Sequence, residues 1–249
     1  MFSNFEATGR EIFISIIGAI LLISVGFFIS TAIHNWVTEM NEPYLRALKI
    51  DKDVDLFDHA LNTTVGYTLA EGYLETPKPV TNSRIKGDYL SIIEIEEHYV
   101  QKTRVVTETV NGKTRTRTET YWVWEERDRN RQDAKTFTFL GKEFDTTKLK
   151  LNTHKSNSTV SAGALSGVRY VYRTIPADFN TTLFFKTKNK SISETAYYPD
   201  KTYKQVVTEK EESADSMVVL FWVLWLVTVA VGAFGFIAME NRYLNSLGK

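Results

Sequence analysis

The stretch KTRVVTETVNGKTRTRTETYWVW, residues 102 to 124, decides how the chain is read. Asn111-Gly112 is the preferred pair for a type I′ turn, so Val110 is expected to face Lys113 and the register of two strands follows by counting back. One face then pairs Glu108 with Arg115, Val106 with Arg117, Arg104 with Glu119 and Lys102 with Tyr121. The other pairs Thr109 with Thr114, Thr107 with Thr116, Val105 with Thr118 and Thr103 with Thr120. Neither face is hydrophobic until Tyr99, Trp122 and Trp124, which are expected to anchor the base of a hairpin spanning residues 99 to 124. A two-stranded ribbon with polar faces is marginal alone in water. Its open edges are therefore expected to take a strand from a protein partner or from another copy of the chain. Arg104, Lys113, Arg115 and Arg117 outnumber Glu108 and Glu119, which favours an acidic partner surface.

Outward from this hairpin the chain is bounded by two uncharged apolar stretches, Ile12 to Ile33 and Ser216 to Met239. Each is long enough to span a bilayer and apolar all round. The first exceeds the apolar core of a signal peptide and no small-residue cleavage pattern follows it, so it reads as an uncleaved anchor. The expected layout is a short tail at 1–11, a transmembrane helix at 12–36, a mainly β extramembrane domain at 37–215, a second transmembrane helix at 216–239 and a short tail at 240–249. The expected fold class is membrane-anchored α+β, mainly β, with two transmembrane helices flanking one mostly antiparallel domain that carries a long projecting hairpin. Gly26 and Ser30 are four apart, as are Thr228 and Gly232, a spacing that permits close approach, so the two spans are expected to pack together there.

Topology is less directly encoded. The tails carry Arg10, Arg242 and Lys249, and the domain-side flanks carry Arg46, Lys49, Lys201, Lys204 and Lys210, but long translocated domains are largely exempt from the positive-inside count. Trp36, Trp222 and Trp225 cluster at the domain-side ends of the spans, as interfacial anchors do. With the short N-terminal tail they favour both tails inside and the domain outside the cytoplasmic membrane.

Within the domain, residues 34 to 62 place Leu45, Leu48, Val54, Leu56, Phe57 and Leu61 at near-helical spacing, with Asn41-Glu42-Pro43 as a capping signature, so short helices are expected there. From Thr64 onward alternation takes over, in TVGYTLAEGYLE, DYLSIIEIEEHYVQ, TYWVWEE, KTFTFLG, VRYVYRT and TLFFKTK, and predicts six or more strands. Tyr170, Tyr172, Phe184, Phe185, Tyr197 and Tyr198 are expected to build the core.

The segment 72–144 also carries a resemblance. GYLETPKPV, DYLSIIEIEEHYV, the basic Thr-rich hairpin closing on YWVWEERD, and FTFLGKEF together resemble a group of uncharacterised two-span membrane proteins of bacteria and their phages. More distantly they are similar to the extramembrane domain of the LUMA family of transmembrane proteins. Glu97-His98-Tyr99 with Trp122 and Trp124 are the most specific elements. The resemblance implies a scaffold-type membrane protein of a bacterial or phage envelope.

Chemistry has little foothold. The chain of 249 residues has no cysteine and zero formal net charge, which removes disulfides, thiolate sites and cysteine nucleophiles and gives no bulk field for nucleic acid. There is no G-x-S-x-G, phosphate loop or dinucleotide fingerprint, and no cofactor is implied. The one constellation is IIEIEEHYV, where alternation puts Glu94, Glu96 and His98 on one strand face. The plain reading is a wet strand face; the chemical alternative is a metal site in an envelope hydrolase. The main expectation is a non-enzymatic interaction or scaffold protein whose partners are the lipid bilayer and a protein or its own copy.

Overall fold

The computed structural model describes residues 9–63, 66–110, 113–151, 156–162 and 166–247. Its contacts divide the chain into two units, Met1–Arg46 with Lys204–Lys249, and Ala47–Tyr203. The first and last residues of the expected 37–215 domain thus belong with the helices.

The helical unit consists of α1 (Gly9–Leu45) and, at the far end of the sequence, α3 (Tyr203–Leu247). Both are long and apolar enough to cross a membrane. Side-chain hydroxyls inside the apolar stretches bond back to their own helix: Ser24 to the Ile20 carbonyl, Thr31 to Phe27 and Thr228 to Leu224. The two helices run antiparallel, with Leu22 meeting Trp225 and Asn41 meeting Lys210. Gly26, Ser30, Val37 and Asn41 form the buried stripe of α1, at the spacing of one helix face. Asn41 is a correction to the capping expectation: α1 runs through Asn41-Glu42-Pro43, and the Asn41 amide donates to the Lys210 carbonyl (3.0 Å) and Ser213 Oγ (2.7 Å). Pro43 lies inside α1 but has no N–H to give the Glu39 carbonyl, and the helix ends two residues later at Leu45, with Arg46 N–H closing on the Glu42 carbonyl.

The β unit opens with β1 (Leu48–Asp51) and α2 (Val54–Thr63). The strands that follow are β2 (Tyr67–Glu75), β3 (Val80–Asn82), β4 (Ile85–Val110), β5 (Lys113–Asp133), β6 (Thr136–Phe139), β7 (Lys142–Asp145), β8 (Ser156–Ser161), β9 (Val168–Pro176), β10 (Phe179–Lys188) and β11 (Ser191–Pro199). Only α2 survives of the short helices expected here; Leu48 lies in a strand. Asp53 starts α2, its carboxylate accepting from Leu56 N–H.

The strands form two sheets. One runs β11-β10-β2-β6-β7, with β1 paired parallel to β2. The other runs β3-β4-β9-β8, with β5 also paired to β4. All strand pairs except β1 with β2 are antiparallel among the described residues. The protein is therefore mainly β with antiparallel sheets and two long apolar helices. Between β6 and β7 the link is Leu140-Gly141, both at positive φ (47° and 76°), the geometry of a two-residue I′ turn.

The core sits on the first sheet under α2. Phe57 of α2 points edge-on into Phe139, Phe144 and Phe185 at centroid distances of 5.7, 6.2 and 5.8 Å. Ile50, Leu74, Phe137, Leu183 and Ile192 close around them, and Leu90 and Ile175 bring the roots of β4 and β9 into the same cluster. Tyr172, Phe184, Phe185 and Tyr197 are buried as expected, whereas Tyr170 and Tyr198 are only half-buried.

Candidate functional site

β4 lives in two environments. From Leu90 to Ile95 its apolar side chains are buried, and it is flanked by β5 on one edge and by β9 on the other. On the β9 side the pairing ends at His98 with Val168, followed by Tyr99 N–H to the Gly167 carbonyl at 2.8 Å. Beyond that point, among the described residues, β4 keeps only β5 as a neighbour, and β5 pairs with β4 alone from Lys113 to Asp133. The register is Val110 with Lys113, Glu108 with Arg115, Val106 with Arg117 and Arg104 with Glu119, as counting from Asn111-Gly112 predicts. Asn111 and Gly112 themselves lie outside the described residues. One bulge interrupts the ladder between Glu96 and Glu97.

The two faces of this ribbon differ chemically. On one, Arg104 donates from Nε and Nη2 to Glu119 Oε2 (2.9 and 2.8 Å). Arg117 bridges Glu108 (3.1 Å) and Glu119 (2.7 Å), and Lys102 reaches Glu125 (3.2 Å). The Arg104 hydrogen bond, helped by the Arg117 charge, holds the Glu119 carboxyl below the usual carboxylate range. Glu108 thus pairs diagonally with Arg117, not with Arg115 opposite it. Among the described residues no ion pair engages Lys113 or Arg115.

The other face is uncharged. Tyr99 stacks on Trp122 at 5.2 Å and lies 5.1 Å from Trp124, whose ring is covered by the Arg169 guanidinium at 4.3 Å. Arg169 is held in place by Glu97 at 2.6 Å. These aromatics cluster as a unit but do not enter the core: Tyr99 is 45% exposed and Trp122 54%. The expected anchoring is corrected in that respect; cross-strand stacking needs only the register, whereas entering a core needs a second layer over that face. Toward the tip the surface continues as Thr pairs around Val105, which is 69% exposed.

Glu94, Glu96 and His98 share a face but are drawn into different bonds. Glu94 Oε2 accepts from the Tyr172 hydroxyl (2.6 Å), Asn82 Nδ2 (3.1 Å) and Arg84 Nη1 (3.3 Å), and Arg84 lies 4.0 Å over the Tyr170 ring. Tyr172 is fully buried, and burial, with the Glu94 contact adding to it, pushes its phenol up to about 12. Glu96 Oε1 and His98 Nε2 bond at 2.7 Å, which lowers the Glu96 carboxyl. Among the described residues no group of three His, Cys, Asp or Glu side chains is placed to hold a metal ion. Alternation puts the three on one face, as expected, but Glu94 is taken up by Tyr172 of β9, Asn82 of β3 and Arg84. The sequence pattern does not mark Asn82, Arg84, Tyr172 or Arg169 for this site; the alternation in VRYVYRT hints only at Tyr172 and Arg169.

No family model, curated protein or solved structure matches this chain. The ribbon offers peptide groups along both edges, an aromatic and Thr face, and a charged face ending in Lys113 and Arg115. Such a surface can bind a strand, since edge peptide groups supply hydrogen bonds and the alternating side chains supply selectivity.

Proposed function

We propose that this is a non-enzymatic, membrane-anchored interaction protein, with α1 and α3 as its transmembrane helices and β4 and β5 as a long projecting hairpin that binds a protein partner or another copy. The observation that carries this reading is the length of β4 and β5 left, among the described residues, without a further strand, beyond Tyr99 on β4 and along the outer edge of β5. At 3.3 Å per residue, Thr103 to Val110 extends about 26 Å. Edges of that length are ordinarily covered, bulged or blunted in soluble proteins, because they recruit strands. In the proposed placement both tails lie inside the cytoplasmic membrane and the β unit outside. A scaffold-type role is also what the resemblance of residues 72–144 to uncharacterised two-span membrane proteins would imply.

The test is to replace residues 104 to 119 by a short Gly-containing turn. None of the described residues among them belongs to the buried core, so the β unit should stay folded and the protein should stay in the membrane fraction. Association in a pull-down from native membranes, or migration as an oligomer, should be lost. Unchanged association and function in the shortened protein would show that the ribbon is not the binding element.

A further inference from the structure

We infer that the strand received by the free edge of β4 is β4 of a second copy, laid antiparallel with Val106 opposite Val106. The inference rests on the binding role proposed above and names the partner. A strand paired with its own copy about a two-fold axis keeps every side chain on its own face, because the period is two. Centring the axis on Val106 sets Arg104 against Glu108 of the second copy, and Glu108 against Arg104 of the second copy. Within each chain Glu108 already faces Arg115, and Arg104 already faces Glu119. The four-stranded row then reads Arg115, Glu108, second-copy Arg104, second-copy Glu119, an unbroken alternation of sign repeated in reverse on the other side of the axis. On the opposite face Val105, 69% exposed at the edge, comes to lie between Thr118 of its own chain and Thr107 of the second copy. The ladder runs from Lys102 to Val110, which is the part of β4 between the Gly167 contact at Tyr99 and the end of the strand.

Other registers are poorer. Centring β4 on Arg104 opposes that residue to itself, and centring on Val105 gains Lys102 with Glu108 but leaves Arg104 opposite Val106. On the outer edge of β5 an axis at Arg117 sets that residue against itself and one at Tyr121 sets Arg115 against Arg127; an axis at Thr118 does oppose Arg117 to Glu119 of the second copy, but its row, Val106, Arg117, second-copy Glu119, second-copy Arg104, aligns three charges where the β4 pairing aligns four. Directly opposed like charges destabilise a sheet pair.

The chain has no cysteine, so single substitutions report cleanly. In native membranes, Val106→Cys should give a covalent dimer on mild oxidation or with a short bis-maleimide, since directly opposed Cβ atoms lie about 4.5–5.5 Å apart. Lys102→Cys should give none, because the two copies of residue 102 would be eight residues, about 26 Å, apart. Differently tagged Arg104→Cys and Glu108→Cys chains, expressed together, should form a covalent mixed dimer, while each alone gives no covalent dimer; this pair decides the matter if Val106→Cys fails to accumulate. Absence of the mixed dimer, or crosslinking at residue 102 as strong as at 106, overturns the inference. If shortening residues 104–119 abolishes a pull-down while no copy-to-copy crosslink forms, the ribbon binds another protein and only this inference falls. If shortening changes nothing, the binding role falls with it.

Discussion

Tyr172 shows how much one hydroxyl can settle. Fully buried on β9, it donates to Glu94 on β4, which also takes Asn82 at the end of β3 and Arg84 just beyond it. A hydrogen bond to a charged acceptor contributes more than a neutral one, so Tyr172→Phe should lower unfolding stability by about 1.5–3 kcal/mol. Chemical denaturation should show a lower midpoint with an unchanged slope. The pH dependence follows from direction. Burial pushes the folded phenol up to about 12, against an ordinary value of about 10 in the unfolded chain, so between those values the unfolded chain has lost a proton that the folded chain keeps. Stability contributed by the neutral phenol is therefore complete below the unfolded value and is lost as pH rises toward 12; the Phe variant should lack that alkaline decline. Glu96, Glu119 and Asp145 act in the opposite sense. Their carboxyls are lowered, so what they contribute is present above the ordinary carboxylate value and is lost as pH falls through the lowered one.

At the scale of the element, β2 depends on a missing side chain. Gly72 faces Thr181 across the ladder, and a Cβ there would lie 2.9 Å from two ring carbons of Phe139. That ring is fully buried against Phe57 and cannot retreat without opening the core. Gly72→Ala should therefore destabilise by about 1–3 kcal/mol through overpacking, despite relieving some unfolded-state entropy. A lower thermal midpoint of the β unit checks this, and an unchanged midpoint would mean that Phe139 has room to move. The segment 48–51 shows the limit of periodicity. Leu48, Val54, Leu56 and Phe57 suit a helix by spacing, yet Leu48–Asp51 pairs parallel with Thr68–Glu71, and Lys52, at φ 54°, donates its N–H to the Glu71 carbonyl. Backbone hydrogen bonds to a strand further along the chain outweighed local spacing.

At the scale of the whole molecule each unit has its own logic. In the helical unit, the spacing of small residues predicts an approach of Gly26 toward Gly232, but Gly26 lies under Trp225 and Trp222. A Cβ at Gly26 would meet the Trp225 indole nitrogen at 2.6 Å, and that nitrogen donates to the Leu22 carbonyl at 3.1 Å. Nothing among the described residues would approach a Cβ at Gly232 within 4 Å. Gly26→Leu should push the indole off that carbonyl and lower the thermal stability of the detergent-solubilised protein by about 1–3 kcal/mol. Gly232→Leu should be milder, and equal effects would show that the helices pack otherwise. By itself, the sequence determined the features written in short-range pattern: two long apolar helices, the mainly antiparallel β character, the register of β4 on β5, and the shared face of Glu94, Glu96 and His98. These follow from composition and from a period of two read outward from one turn, both local properties of the chain. Only the tertiary structure decided that Asn41 bonds to α3 instead of capping a helix, that Glu94 is taken by Tyr172 and Arg84, and that Tyr99 and Trp122 stack in the open while Phe57 fills the core. Those outcomes depend on which distant segments meet, and the burial and hydrogen bonding gained there exceed any preference that neighbouring residues express alone.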